Sequence, residues 1–184
     1  VPGVSGCRYI HARDSQIACY TKQFKALIRR DGLRSAVRTV DHAAKSDSNL
    51  SGLCHMAWHP VGSELGKRAV SLKPPAVLRG SLSFCSEGLL HGYYITALDH
   101  APLSAEVGRA ISQSCGGMNR RAMLNCVHSF GHSLERKSPN DLTKASRPCL
   151  AVTLDGHSAQ TASDPLPGSA RFECLYGMYM EKSL

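Results

Sequence analysis

Eight cysteines and nine histidines stand out in this 184-residue chain, and both residue types can bind metal ions. Two pairs of histidines are spaced four residues apart, His55 with His59 and His128 with His132. On a helix, this spacing places both imidazoles on one face, where they can bind the same ion. Together with His91, these residues predict a metal centre with five imidazole ligands.

Other side chains in or beside the same segments are candidate additional ligands: Met180, Glu87 and Glu135. The remaining histidines have no partner at ligand spacing, and we expect them on the surface: His11, His42, His100 and His157.

Imidazole-rich sites in an oxidising compartment favour copper, iron or zinc, so the suspected cofactor is a transition metal. The nearby Met178 and Met180 slightly favour copper. Two facing helices that each carry His-x3-His would share the paired-ligand geometry of dinuclear copper or iron helical proteins. The Glu-x-x-His motifs of di-iron carboxylate proteins are not present.

Haem is a separate alternative. The chain has no C-x-x-C-H motif, but Cys54-His55 could form a single-cysteine attachment, with His55 as axial ligand and His91 or His132 on the opposite side. Nucleophilic catalysis by a cysteine has less support, because a thiol in a disulfide cannot be a nucleophile. The sequence therefore leaves open whether the protein is an enzyme.

The even number of cysteines, without paired C-x-x-C zinc spacings, favours disulfides formed in an oxidising compartment. The start Val1-Pro2-Gly3, without Met, fits a mature product whose leader was removed. We expect a secreted, periplasmic or cell-surface protein. The pairing stays open among the candidate disulfide cysteines: Cys7, Cys19, Cys54, Cys85, Cys115, Cys126, Cys149 and Cys174.

The net charge of +8 suits contact with nucleic acid, an anionic membrane surface or an acidic partner. The charges are spread out, however, and no nucleic-acid-binding motif accompanies them, so we expect a solvated basic face without nucleic acid. The sequence contains no apolar run long enough for a transmembrane helix. A competing hypothesis is a structural or interaction protein that forms a homo-oligomer or docks a protein partner, with its Cys, His and Gly motifs serving only packing.

The 42% hydrophobic content and the chain length predict a single folded domain over residues 1–184. The fold class is mainly α, a compact bundle or irregular array of short helices with disulfide staples. The predicted helices follow Ser15, run over 33–44 and 119–136, and begin near 84, 104 and 173. Residues 155–170 are rich in Gly, Pro, Ser and Asp, which predicts a loop or lid.

A further apolar segment, residues 53–70, contains Pro60, which removes a backbone donor. We expect a kink there, or two short helices. Because the residue before a proline is biased away from helical geometry, the alignment of His59 with His55 is less secure than that of the second pair.

Several segments repeat one short pattern. Cys85-x2-Gly88-x2-His91-Gly92 matches Cys174-x2-Gly177-x2-Met180, and Cys126-x5-His132 keeps the same distance from Cys to His. This pattern predicts a degenerate internal repeat of short helices that begin at a cysteine.

The ordered motifs CH-x3-H-x2-G, C-x2-G-x2-HG, C-x-H-x2-GH and C-x2-G-x-YME resemble those of a family of uncharacterised bacterial secreted or membrane-anchored proteins. The resemblance covers roughly residues 19–181. It implies an exported Cys/His domain and no particular reaction. The chain departs from the family pattern at Pro60 and Ser129.

Overall fold

The computed structural model describes residues 5–80, 82–154 and 169–182, and within these ranges it contains helices and no strands. The mainly α prediction is confirmed. Two short 3-10 helices span Ser5–Tyr9 and Ala76–Arg79. The α-helices are α1 Arg13–Asp31, α2 Leu33–Ala44, α3 Ser48–Gly66, α4 Phe84–Ala97, α5 Ala105–Cys115, α6 Arg120–Lys137, α7 Leu142–Leu150 and α8 Ala170–Lys182.

The first two helices form the hairpin that the sequence predicts. Gly32 separates them with φ of 79°, a left-handed conformation that glycine adopts at little cost.

Helix α7 was not predicted, because it is only nine residues long and carries Pro148 in its last turn. The predicted loop over 155–170 lies outside the described residues, except for its last two positions.

Helix α3 continues through Pro60 and does not divide into two helices. Its start is fixed by Asp47, whose side chain accepts a hydrogen bond from the backbone N–H of Leu50 at 3.0 Å. Pro60 itself is exposed, whereas Trp58 and Val61 on either side of it are buried. The packing of the buried face therefore holds the helix together across the proline.

The α1–α2 hairpin packs against α3 and closes one side of the core. The rings of Phe24 and Trp58 lie 4.4 Å apart between centroids, and both side chains are fully buried. The Thr21 hydroxyl donates a hydrogen bond to the carbonyl oxygen of Ala57 at 3.0 Å. The hairpin thereby positions the helix that carries the first histidine pair.

Helices α3 and α4 lie side by side in very close contact, because glycines occupy the crossing. A Cβ atom added to Gly92 would lie 2.0 Å from the carbonyl oxygen of His59, and one added to Gly88 would lie 2.0 Å from that of His55. No real side chain fits at such distances. The residues that predict the metal centre are thus adjacent to the contacts that set the spacing between the helices.

Helix α6 packs against both α4 and α8. The α6–α8 contact is built in the same way, since a Cβ on Gly131 would lie 2.0 Å from the carbonyl oxygen of Cys174. Between α4 and α6, the Tyr94 hydroxyl lies 3.2 Å from Sγ of Cys126. Helix α4 therefore occupies the centre, with α3 on one side and α6 on the other.

Disulfide bonds are confirmed, and three of the four join consecutive α-helices, while the fourth joins the first 3-10 helix to α1. Cys54–Cys85 connects α3 to α4 next to the first histidine pair. The other pairs are Cys7–Cys19, Cys115–Cys126 and Cys149–Cys174.

We predict that Gly92→Ala lowers the free energy of unfolding by about 3 kcal/mol or more, because the new methyl group collides with the α3 backbone. Urea unfolding followed by circular dichroism measures this change. The matched control is Gly52→Ala in α3, where an added Cβ meets nothing within 4 Å. That exposed substitution should stabilise the protein by about 0.5–1 kcal/mol, and equal losses in both variants would contradict the packing argument.

The end of α6 is tied to the loop after α4 by Lys137. Its Nζ donates hydrogen bonds to the carbonyl oxygens of Leu98, Asp99 and Ala101, with the Asp99 distance at 3.0 Å. This ammonium group gives the backbone acceptors that follow α4 a charged donor.

We predict that Lys137→Met lowers the free energy of unfolding by about 1–3 kcal/mol, since the three carbonyls lose a charged donor. The same urea experiment measures it. Lys67→Met, at an exposed position after α3, should change stability by less than about 0.5 kcal/mol. A Lys137→Met protein as stable as this control would show that the carbonyl contacts do not stabilise the fold.

Candidate metal centre

The structure brings the five candidate histidines to one place from three helices. His55 and His59 come from α3, His91 from α4, and His128 and His132 from α6. Ring centroids of His91 lie 4.6 Å from His55, 5.3 Å from His59 and 4.4 Å from His132. We call these five side chains the histidine cluster.

Within the histidine cluster, two groups of three have the spacing that a metal ion needs. His55, His59 and His91 form one triad, and His91, His128 and His132 form the other. In each triad, one nitrogen from every ring lies within 4.8 Å of the others. His91 belongs to both triads.

The first histidine pair is aligned as well as the second, contrary to the expectation from Pro60. Ring centroids lie 5.1 Å apart for His55 and His59, and 4.9 Å apart for His128 and His132. The alignment is kept because α3 remains one helix through Pro60.

A backbone contact fixes the orientation of His55. Its Nδ1 lies 2.7 Å from the carbonyl oxygen of Phe84, which can only accept, so Nδ1 carries the proton. Nε2 of the neutral ring is then an acceptor, and it lies 3.1 Å from Nδ1 of His91. Metal-binding histidines are commonly oriented in this way, by a hydrogen bond from the nitrogen that faces away from the ion.

Glu173 from α8 faces the second pair, a position that the sequence reasoning missed. Its Oε2 lies 3.6 Å from Nδ1 of His128, while Nε2 of His128 lies 3.2 Å from Nε2 of His132. A carboxylate behind an imidazole is a common companion of metal sites. The available signal was the place of Glu173 directly before Cys174, the first residue of the repeated segment Cys174-x2-Gly177-x2-Met180.

Three imidazoles of the cluster have a lowered pKa, which favours the neutral form that binds metals. Burial, reinforced by the neighbouring histidines, holds the pKa of His91 well below its usual value. Burial also lowers the pKa of His55, and it lowers that of His128 to about 4. Desolvation disfavours the charged ring in each case, so the lone pairs are free of protons at neutral pH.

The other candidate ligands lie outside the triads. The partly buried Glu87 accepts a hydrogen bond from Nδ2 of Asn125 at 2.5 Å, Glu135 is buried in α6, and Met180 is 39% exposed on α8. Among the incidental histidines, the three that the structure describes are exposed: His11, His42 and His100. His157 lies outside the described residues.

The proposed attachment of haem through Cys54 is wrong, because Cys54 is bonded to Cys85. The 3.1 Å separation between ring nitrogens of His55 and His91 also leaves no space for a porphyrin between them. All eight cysteines are paired, which likewise removes a cysteine nucleophile.

Aromatic side chains border the cluster where it approaches the surface. The Phe84 ring stacks on His55 with centroids 4.8 Å apart, and Tyr176 lies 5.7 Å from His128. Phe84 is 64% exposed and Tyr176 is 48% exposed. His55, His59 and His128 are only partly buried, so ions from solvent can reach the cluster.

A comparison with known protein families, with characterised proteins and with solved structures finds no match to this chain. Among the helices of the described residues, none has the length and apolar character needed to cross a membrane. The chemistry of the histidine cluster is therefore the basis for assigning a function.

We predict that the metal-free protein loses stability as the pH falls from about 6.5 towards about 4. The folded-state pKa of His128 is lowered to about 4, so over this range the unfolded chain binds more protons than the native state. The contribution of His128 to the free energy of unfolding should be on the order of 3 kcal/mol. It is present at pH values above about 6.5 and lost at pH values below about 4.

Urea unfolding at several pH values measures this dependence. His128→Gln should flatten it over the same range, whereas the exposed control His42→Gln should leave it unchanged. An unchanged slope in His128→Gln would show that this histidine does not titrate as the geometry requires.

Proposed function

We propose that this protein is an exported metal-binding protein whose histidine cluster holds copper in a redox or electron-transfer role. The observation that supports this proposal is the convergence of five imidazoles from three helices into two triads with metal-ligand spacing. Each triad can supply three nitrogen ligands to an ion.

The composition of the cluster argues for a ligand site over a purely structural core. Burying polar rings has a cost unless their polar atoms are satisfied, and the neighbouring core is built mainly from aliphatic and aromatic side chains such as Leu50 and Phe24. In the described residues, ring nitrogens of the cluster contact one another, at 3.1 Å between His55 and His91 and at 3.2 Å between His128 and His132. A metal ion would replace these ring-to-ring contacts with bonds to several nitrogens at once.

The donor atoms favour copper among the candidate metals. Thiolate ligands are absent because every cysteine is in a disulfide. Imidazole suits copper, zinc and iron, and for a given nitrogen site copper(II) binds more tightly than the other divalent ions. Non-haem iron commonly takes two histidines and a carboxylate, and each triad has three histidines instead.

A triad also leaves a coordination position for an exogenous ligand. Structural zinc sites usually use four protein ligands, whereas sites that exchange a ligand use three. Three imidazoles with an open position therefore suit an ion that takes part in chemistry. The cluster lies beside the exposed Phe84 and Tyr176, where such a ligand can enter.

Export is supported by the four disulfides, since such bonds persist in oxidising compartments. Homo-oligomers and contacts with an anionic surface or a protein partner remain part of the competing proposal. The Gly contacts at the helix crossings support that proposal in part, because they give the glycines a packing role. Substitution of the clustered histidines tests between the two proposals.

We expect metal-free protein titrated with Cu(II), then desalted, to retain copper when assayed by mass spectrometry of the element and by visible absorption. The double variant His128→Ala/His132→Ala should lose most of the copper, because it removes two ligands of one triad. The matched control His11→Ala/His42→Ala changes two exposed histidines remote in sequence and should retain the copper of the unmodified protein.

Folded protein that retains no metal would overturn the proposal and leave the structural function. Equal loss of copper from both double variants would place the binding on surface histidines. A competition in which Zn(II) displaces Cu(II) completely would refute the copper assignment.

A further inference from the structure

We infer that the histidine cluster is a dinuclear centre in which the imidazole of His91 bridges two metal ions. This inference rests on the proposed function and specifies how the ligands are divided. His55 and His59 complete the set of the first ion, and His128 and His132 complete that of the second.

The spacing of the rings argues against one ion with five ligands. A bond from a transition metal to an imidazole nitrogen is about 2.1 Å, so two ligand atoms of one ion are at most about 4.2 Å apart. The histidines form two separate triads within a limit of 4.8 Å and do not form one group of five. At least one pair across the cluster is therefore too far apart to share an ion.

His91 is the only histidine that the two triads share. Its ring lies 4.6 Å from His55 on one side and 4.4 Å from His132 on the other, between centroids. Imidazole has two ring nitrogens, and each can bind a metal. One ring can thus serve both ions.

The fold holds this bridge in place. Helix α4 lies between α3 and α6, and Gly92, adjacent to His91, contacts the α3 backbone at His59. The Cys54–Cys85 disulfide also joins α3 to α4, and Cys54 is adjacent to His55. His91 is 6% exposed, so the ring is surrounded by the ligands of the two sites.

The proton balance of the bridge follows from the hydrogen bonds. Nε2 of His55 accepts, so the proton between it and His91 lies on Nδ1 of His91. When a metal binds there, this proton leaves to bulk water and a nitrogen–metal bond forms. With both nitrogens bound, the imidazolate carries one negative charge between two divalent cations, and no electron is transferred.

The test titrates metal-free protein with Cu(II) and counts bound ions by native mass spectrometry. Electron paramagnetic resonance of the frozen sample is then integrated and compared with the copper content. We expect two copper ions per chain and an integrated spin well below the copper content, because an imidazolate bridge couples the two spins antiferromagnetically.

Two variants distinguish the loss of the bridging imidazole from the loss of a terminal ligand. His91→Ala should remove the coupling, so that each copper ion still bound contributes its full spin. His59→Ala removes a terminal ligand and keeps the bridge, so it should weaken one ion while samples with two ions remain coupled. Circular dichroism checks that both variants are folded. If either variant is unfolded, the copper count and the integrated spin of the unmodified protein still test the bridge.

The failures of the two proposals are distinguishable. Saturation at one copper ion per chain, or two ions with full integrated spin, would overturn the bridge and leave copper binding intact. Folded protein that binds no copper would overturn the proposed function itself.

Discussion

The histidine cluster depends on the distance between α3 and α4, and that distance is set by backbone against backbone. At Gly88 and Gly92, the absence of Cβ lets the carbonyl oxygens of His55 and His59 approach to where a side chain would stand. The contacts involve the backbone carbonyl groups of two candidate ligands. The distance between α3 and α4 therefore also sets the distance between the imidazoles that these helices carry. A larger residue at either glycine separates the helices and the imidazoles together.

Disulfide bonds and glycine contacts both position the helices that carry the histidine cluster, and they do so in different ways. Cys54–Cys85 joins α3 to α4, and Cys149–Cys174 joins α7 to α8. A disulfide restricts the unfolded chain and brings the elements together, but it leaves their rotation free. The close contacts at the helix crossings remove that freedom. For this reason a cysteine, a glycine and a histidine recur together in the segments that build the site.

Desolvation gives the cluster its chemical character. The imidazoles of His55, His91 and His128 resist protonation, since the charge would be buried beside other rings. The same burial that lowers these pKa values makes the nitrogens available to a cation at neutral pH. Acid would therefore oppose metal binding by the cluster, and it lowers the stability of the metal-free fold. The exposed aromatic rings of Phe84 and Tyr176 lie on the side of the cluster that faces solvent.

The sequence by itself determined the helical class, most helix positions, the disulfide chemistry and the five candidate histidines, because periodicity, Cys count and i, i+4 spacing are local properties. It did not determine the disulfide pairing, the α7 helix, the continuity of α3 through Pro60 or the position of Glu173 behind His128. Those features depend on which helices lie together, which is decided by packing between residues distant in the chain. The sharing of His91 between two triads likewise exists only once α4 lies between α3 and α6.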